Sequence, residues 1–331
     1  MVTTRGLIPV SIITGFLGAG KSTLLQRLLR GPELARTAVI INEFGEIGID
    51  HDLIASSNET FMTLTTGCLC CAVRGDLIET LLDLIRTAAG AYDRVLIETS
   101  GLADPAPILQ ALMTDKAVRE FHVIDTMVTV VDAVHGEKTL NQFPEARRQV
   151  ALADALVFTK TDLSSVDPGL TRHLDELNPG TPRWNGGGVI GKNLFAGADP
   201  MARATRLAAA VNPWRAQHTA DIETESFHRA RPLPALALTL WLQALTEHCG
   251  DRLIRMKGLV AIEEMPGQPA IVHGVQHVFS PPEFLPAWPS ANTDTRLVFI
   301  FRTIPRHFPA RLLDAIEEEV REELETAAES R

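Results

Sequence analysis

Aromatic residues make up only 5% of the 331-residue chain, and tyrosine occurs once, at Tyr92. Basic residues are outnumbered, 31 Lys and Arg against 41 Asp and Glu, leaving a net charge of −10 at pH 7. A nucleic-acid binder needs a positive footprint or stacking platforms, so both shortages argue against that class. No charge-free apolar run approaches the length that crosses a bilayer, which argues against a membrane protein. Cysteine is scarce too, four in all, with three crowded at Cys68, Cys70 and Cys71. That clustering is unlike a secreted disulfide framework, and the chain reads as cytoplasmic. Internal repeats and low-complexity tracts are missing. What remains is 45% hydrophobic and 22% charged, a globular balance with core enough for one large domain or two ordinary ones.

Within that frame one stretch stands out: Gly15-Phe16-Leu17-Gly18-Ala19-Gly20-Lys21-Ser22-Thr23. The residues before it, from Ile8 to Thr14, are apolar and β-branched and predict a buried strand; Leu24 to Leu29 predicts a helix. Strand, Gly-x4-Gly-Lys-Ser and helix make a phosphate-binding loop in its required context. Glycines at 15, 18 and 20 let the backbone curl so that successive N–H groups, with those of Ala19 and Thr23, converge on phosphate at a helix N-terminus. Lys21 is placed to reach the β- and γ-phosphates, and the Ser22 hydroxyl to ligate Mg²⁺. Arg5 followed by Leu7 to Gly20 looks superficially like a secretory signal, but strand and loop use the same residues.

Three further segments fit a nucleotide-hydrolysing site. After a second buried strand, Thr37 to Ile41, comes a polar loop, Asn42 to His51, where a first switch segment would lie; Glu43 and Glu46 are candidate ligands there. A third strand, Asp93 to Gly101, ends in Glu98, suited to hold Mg²⁺ directly or through water, and in Gly101, whose N–H could sense the γ-phosphate. A fifth strand, Ala155 to Phe158, runs into Thr159-Lys160-Thr161-Asp162. The Asp162 carboxylate can accept from both N1–H and the exocyclic amine of guanine while the Lys160 stem covers the ring, so GTP is favoured over ATP.

Between these lies Gly67-Cys68-Leu69-Cys70-Cys71. In an extended chain Cys68 and Cys70 share one face and Cys71 takes the other. Two same-face thiolates suit a soft or borderline cation, Zn²⁺ first by availability and tetrahedral preference, with a further ligand from Cys71, Glu43, Glu46 or His51. A redox pair and buried structural thiols are the alternatives. A helix is expected from Asp76 to Ala88.

Strands alternating with helices imply an α/β fold: a mostly parallel P-loop NTPase sheet with helices on both faces and ligand at the strands' carboxyl ends. The expected domain limits are 1–211, including a short Ala-rich helix from Met201 to Val211, then a linker over 212–222. A smaller α+β domain with an antiparallel sheet is expected over 223–331. The acidic tail from Glu317 reads as a solvated helix face.

Taken together, these motifs resemble the CobW-like metal-chaperone GTPases, relatives of the urease and hydrogenase nickel-insertion GTPases. The resemblance rests on the phosphate loop, Asn42-Glu43-Phe44-Gly45-Glu46, the Cys-x-Cys-Cys, Glu98 to Pro105 and Thr159 to Asp162. It extends to Arg255-Met256-Lys257-Gly258 and Gly274-Val275-Gln276. It implies GTP hydrolysis coupled to holding a transition metal, zinc or Co²⁺, and delivering it to a client metalloprotein. The sequence offers no assured arginine finger or water-orienting glutamine, so turnover is expected to be slow without metal or a partner. An oligomer is compatible with it. Thr159 stands where many GTPases carry asparagine, Ile41 stands where some relatives carry a metal-binding glutamate, and the histidine-rich stretch of many relatives is missing. Rival readings are a P-loop phosphotransferase acting on a small molecule and a thiol redox-regulated nucleotide-binding protein.

Overall fold

Ile8–Gly15 forms the central strand, β1, and every residue in it but the first is buried. The computed structural model describes residues 6–43, 61–65, 70–88, 90–188, 191–195, 199–210, 217–218, 222–305 and 307–329. Continuous apolar runs of this kind suit parallel strands covered on both faces. The others are β2 (Thr37–Glu43), β3 (Phe61–Thr65), β4 (Arg94–Thr99), β5 (His122–Asp132), β6 (Ala155–Thr159) and β7 (Arg183–Asn185). They lie in the order β3-β2-β4-β1-β5-β6-β7, every pair parallel. β1 therefore sits between β4 and β5, where the strand order reverses, and a crevice opens at the carboxyl ends of such strands.

Helix α1 (Lys21–Leu29) buries Leu24, Leu25 and Leu28 against Ile13, Val39 and Val128 on one face of the sheet. On the alternating positions the Thr129 hydroxyl donates to the Gln149 carbonyl, seating another helix there. Residues 70–87 form α2 (Cys70–Thr87), followed by α3 (Ala106–Thr114), α4 (Lys116–Phe121), α5 (Gly136–Gln142), α6 (Pro144–Ala151) and α7 (Pro168–Leu177). Helix α2 begins six residues before the expected Asp76, so Cys70 and Cys71 have helical backbone and the extended-chain alternation does not apply to them. Nothing in the local pattern marks that start: Gly75 looked like a boundary but lies inside the helix.

The second unit has its own core. Antiparallel strands β8 (Gln217–His218), β9 (Glu223–Arg229), β10 (Leu253–Val260), β11 (Ala270–Val275), β12 (Val278–Phe279) and β14 (Thr295–Phe301) take the order β12-β11-β10-β14-β9-β8; β13 (Glu283–Phe284) pairs with β11. Three helices join them, α8 (Pro200–Ala210), α9 (Ala235–Cys249) and α10 (Phe308–Glu329). Trp241 is wholly buried at the centre, edge-on to Phe299 at 5.9 Å, its indole N–H donating to the Pro309 carbonyl at 2.9 Å. Cys249 lies in the same core, and burial pushes its thiol pKa up.

Two expectations need correction here. Compactness divides the chain at Asp199/Pro200, with 176–180 grouped in the second unit, so α8 does not belong to the first. Its Ala204 packs with Leu259 and Leu285, and Arg203 forks onto both Glu283 oxygens at 3.0 and 2.9 Å. Glu317 is not a solvated acid: it is 3% exposed and neutralised by Arg229 and Arg321. Among the described residues no helix is long and apolar enough to cross a membrane.

Candidate functional site

The phosphate loop follows β1 with the geometry its glycines allow. Gly18 and Gly20 have φ of 70° and 88°, left-handed values that suit glycine. Gly15 is needed for a different reason, since a Cβ there would stand 2.5 Å from the Val130 carbonyl oxygen. The Ala19 N–H donates to the Phe16 carbonyl at 3.1 Å, and α1 starts at Lys21, so the positive end of its dipole lies at the loop. The Lys21 ammonium reaches the Phe16 carbonyl at 3.4 Å.

The Ser22 hydroxyl donates to Glu98 Oε1 at 2.7 Å. Register explains the meeting: Ile13 of β1 is opposite Glu98 of β4, which brings the strand end beside the start of α1. Glu98 is only 4% exposed, and a hydroxyl and a carboxylate form a hard-oxygen pair that fits Mg²⁺. Next to it, Thr99 donates to the Thr14 hydroxyl at 2.7 Å. Gly101 touches the loop from the other side: a Cβ on it would lie 2.6 Å from Leu17 N and 2.8 Å from Leu17 Cα.

The third group gathers at the end of β6. The Thr159 hydroxyl donates to the Ala19 carbonyl at 2.6 Å, tying this strand end to the phosphate loop. Lys160, at φ 55°, donates to Asp132 Oδ2 at 2.7 Å. Burial alone would raise the Asp132 pKa, but the Lys160 ammonium and the N–H groups of Val134 and His135 outweigh it and hold it below the usual value. Asp162 is exposed, and Thr161 beside it donates to Asn185 Oδ1 at 2.9 Å. Asn185 begins the turn Asn185-Gly186-Gly187-Gly188, where a Cβ on Gly186 would meet the Phe158 carbonyl at 2.6 Å.

Sequence reasoning gave Lys21, Ser22, Glu98, Gly101, Thr159 and Lys160 without their partners. Asp132 was visible only as a strand end, and the 185–188 turn only as a loop. The thiol region is partly outside the described residues, which include neither Cys68 nor Glu46. Glu43 ends β2 at the sheet's carboxyl edge, opposite Thr65 of β3. Thr65 is five residues before Cys70, which puts the start of α2 within about 18 Å of that edge. Among the described residues no group of three His, Cys, Asp or Glu side chains forms a metal cage.

The family model of the CobW/HypB/UreG nucleotide-binding domain matches residues 9–183, and that of the cobalamin synthesis protein cobW C-terminal domain matches 222–325. The zinc chaperone YjiA of Escherichia coli (strain K12) is 31% identical over 304 residues, 90% of this chain and 95% of that protein. Zinc-regulated GTPase metalloprotein activator 1 of Saccharomyces cerevisiae is 34% identical over 192 residues, 51% of this chain and 44% of that protein. The crystal structure of Zn(II)-bound YjiA GTPase from E. coli matches with a TM-score of 0.70 at 25% identity, covering 94% of this chain and 99% of that one.

Proposed function

The chain belongs to the CobW/HypB/UreG family, and on that premise we propose that it is a GTP-hydrolysing metallochaperone that carries zinc and hands it to a client metalloprotein. The observation that carries the reading is the shared edge: phosphate loop, Glu98 and Lys160 lie at the carboxyl end of one sheet, and α2 begins five residues after β3 of that same sheet. Two relatives bear the name zinc chaperone or zinc-regulated GTPase, which supports zinc ahead of Co²⁺ as cargo.

Each residue then has a physical task. Backbone N–H groups of Gly18, Ala19, Gly20 and Thr23 and the Lys21 ammonium bind the phosphates. Ser22 and Glu98 would hold Mg²⁺, which when bound neutralises charge between the β- and γ-phosphates. Gly101 presents its backbone to the γ-phosphate. Asp162 reads guanine, and Lys160, braced by Asp132, covers the ring. Cys68, Cys70 and Cys71, with Glu43 or Glu46, take the zinc. Positions 70 and 71 open α2, where the helix dipole favours the negative charge that metal-binding thiolates carry.

Because the thiols lie in sequence between the 42–50 loop and the strand carrying Glu98, nucleotide and zinc binding are linked, and linkage is reciprocal. Zinc competition titration tests this with a non-hydrolysable GTP analogue and with GDP. The expected result is an affinity difference of about 5- to 100-fold, abolished in Cys70→Ser. Equal affinities in the two nucleotide states overturn the coupling.

A further inference from the structure

Gln149 has no place in the reading above, yet its buried amide makes two hydrogen bonds to the segment after β4. It lies on α6 and is 0% exposed. Its Nε2 donates to the carbonyls of both Gly101 and Ala103, each at 3.1 Å. Its main-chain carbonyl accepts from the Thr129 hydroxyl at 2.7 Å. The next residue back reinforces the grip, since Arg148 pairs with Asp104 at 2.5 Å. One turn of α6 therefore holds residues 101–104 at three points.

The orientation of the amide is unambiguous, because both partners are acceptors and only the NH2 group can serve them. Gln149 Oε1 is buried and has no partner among the described residues, beside a cavity of about 420 Å³ that Phe16, Val130 and Phe143 also line. A buried, unmet oxygen carries a desolvation cost that leucine or methionine would avoid. Packing alone gives no reason for glutamine here; the two donated bonds do.

From these contacts we infer that Gln149 is a positioning residue for GTP hydrolysis, fixing the backbone of residues 101–104. In a trans peptide the N–H points opposite to the C=O. With the Gly101 and Ala103 carbonyls turned to Gln149, the N–H groups of Leu102 and Asp104 are turned away from α6. The whole segment is thereby set against the phosphate loop, where Gly101 packs on Leu17. This rests on the proposed role of residues 98–104 in sensing the γ-phosphate.

The test uses the full chain and two variants close in size. Gln149→Glu keeps the shape but faces two carbonyls with a carboxylate; Gln149→Met keeps the volume and removes the donor. At pH 8 both are expected to lose ten- to thirty-fold in kcat, with affinity for a GTP analogue within about twofold of the parent. As pH falls, Gln149→Glu recovers relative to the parent, because the neutral acid donates again; Gln149→Met does not. Asp132, His135, Lys138 and Lys160 also line the cavity and Arg148 and Asp104 flank it, so the parent's own pH profile is the reference. Unchanged kcat, or the same loss in Gln149→Glu at every pH, overturns the inference. Hydrogen exchange of the 98–106 segment separates the two levels. If the parent shows no difference there between GDP and GTP analogue, the sensing role falls. If the parent shows one and both variants keep it unaltered, only the role of Gln149 falls. Should Gln149→Glu fail to fold, kcat and exchange in Gln149→Met decide.

Discussion

Asp132 shows how a single side chain can serve the site without touching a ligand. One oxygen accepts from the Lys160 ammonium and the other from the N–H groups of Val134 and His135, closing the turn after β5. Its carboxyl is therefore more acidic in the folded protein than in the unfolded chain. Such a group adds stability that is complete above its ordinary value of 3.8 and is lost as pH falls through the depressed folded-state value. Asp132→Asn is accordingly expected to be less stable than the parent at pH 7. Urea unfolding at pH 7 and at pH 3 checks it, with the gap between the two proteins narrowing at the lower pH. The sequence displayed Asp132 as a strand end and Lys160 as part of a guanine-reading element. Their pairing depends on β5 and β6 lying side by side, which neither segment announces.

The elements act on the phosphate loop from two sides. From one side, β6 ends on the loop through Thr159, where many GTPases carry asparagine. The hydroxyl is shorter, yet it reaches the Ala19 carbonyl at 2.6 Å. Thr159→Val keeps the shape and deletes the donor. It should weaken GTP binding by about 1 kcal/mol, roughly fivefold, as measured by calorimetry. From the other side α6 grips residues 101–104. Strand and helix types were legible from periodicity and punctuation: the run from Ile8, the glycines, and the buried stripe of α1. The start of α2 was not, because a glycine inside a helix and a glycine at its boundary look the same until packing decides. For the same reason the extended geometry expected for Cys70 and Cys71 does not apply.

At the scale of the molecule, two cores lie in two compact units, one built on Ile13, Val39 and Leu25, the other on Trp241, Phe299 and Met256. Thermal unfolding should show two transitions, with GTP raising only the one that belongs to the first unit. Gly258 offers a handle on the other, since a Cβ there would lie 2.0 Å from the Arg296 carbonyl oxygen of the paired strand. Gly258→Ala is expected to lower the second transition by about 5–10 °C and leave the first in place, read by scanning calorimetry. A single merged transition in both proteins would contradict this division.

The amino-acid order alone determined the phosphate loop, the acid closing β4, the Lys-x-Asp after β6, the alternation of strands and helices, and the family. Those features are written in contiguous residues, where side-chain chemistry and local backbone preference are enough. Tertiary structure decided what each motif leans on: Thr159 on Ala19 across 140 residues, Gln149 on Gly101 across 48, Lys160 on Asp132 across 28. It also decided that Glu317 is buried and that Pro200–Ala210 belongs to the second unit. Contacts over such separations are fixed by strand order and register, and a one-residue change of register would dissolve them while leaving every motif readable.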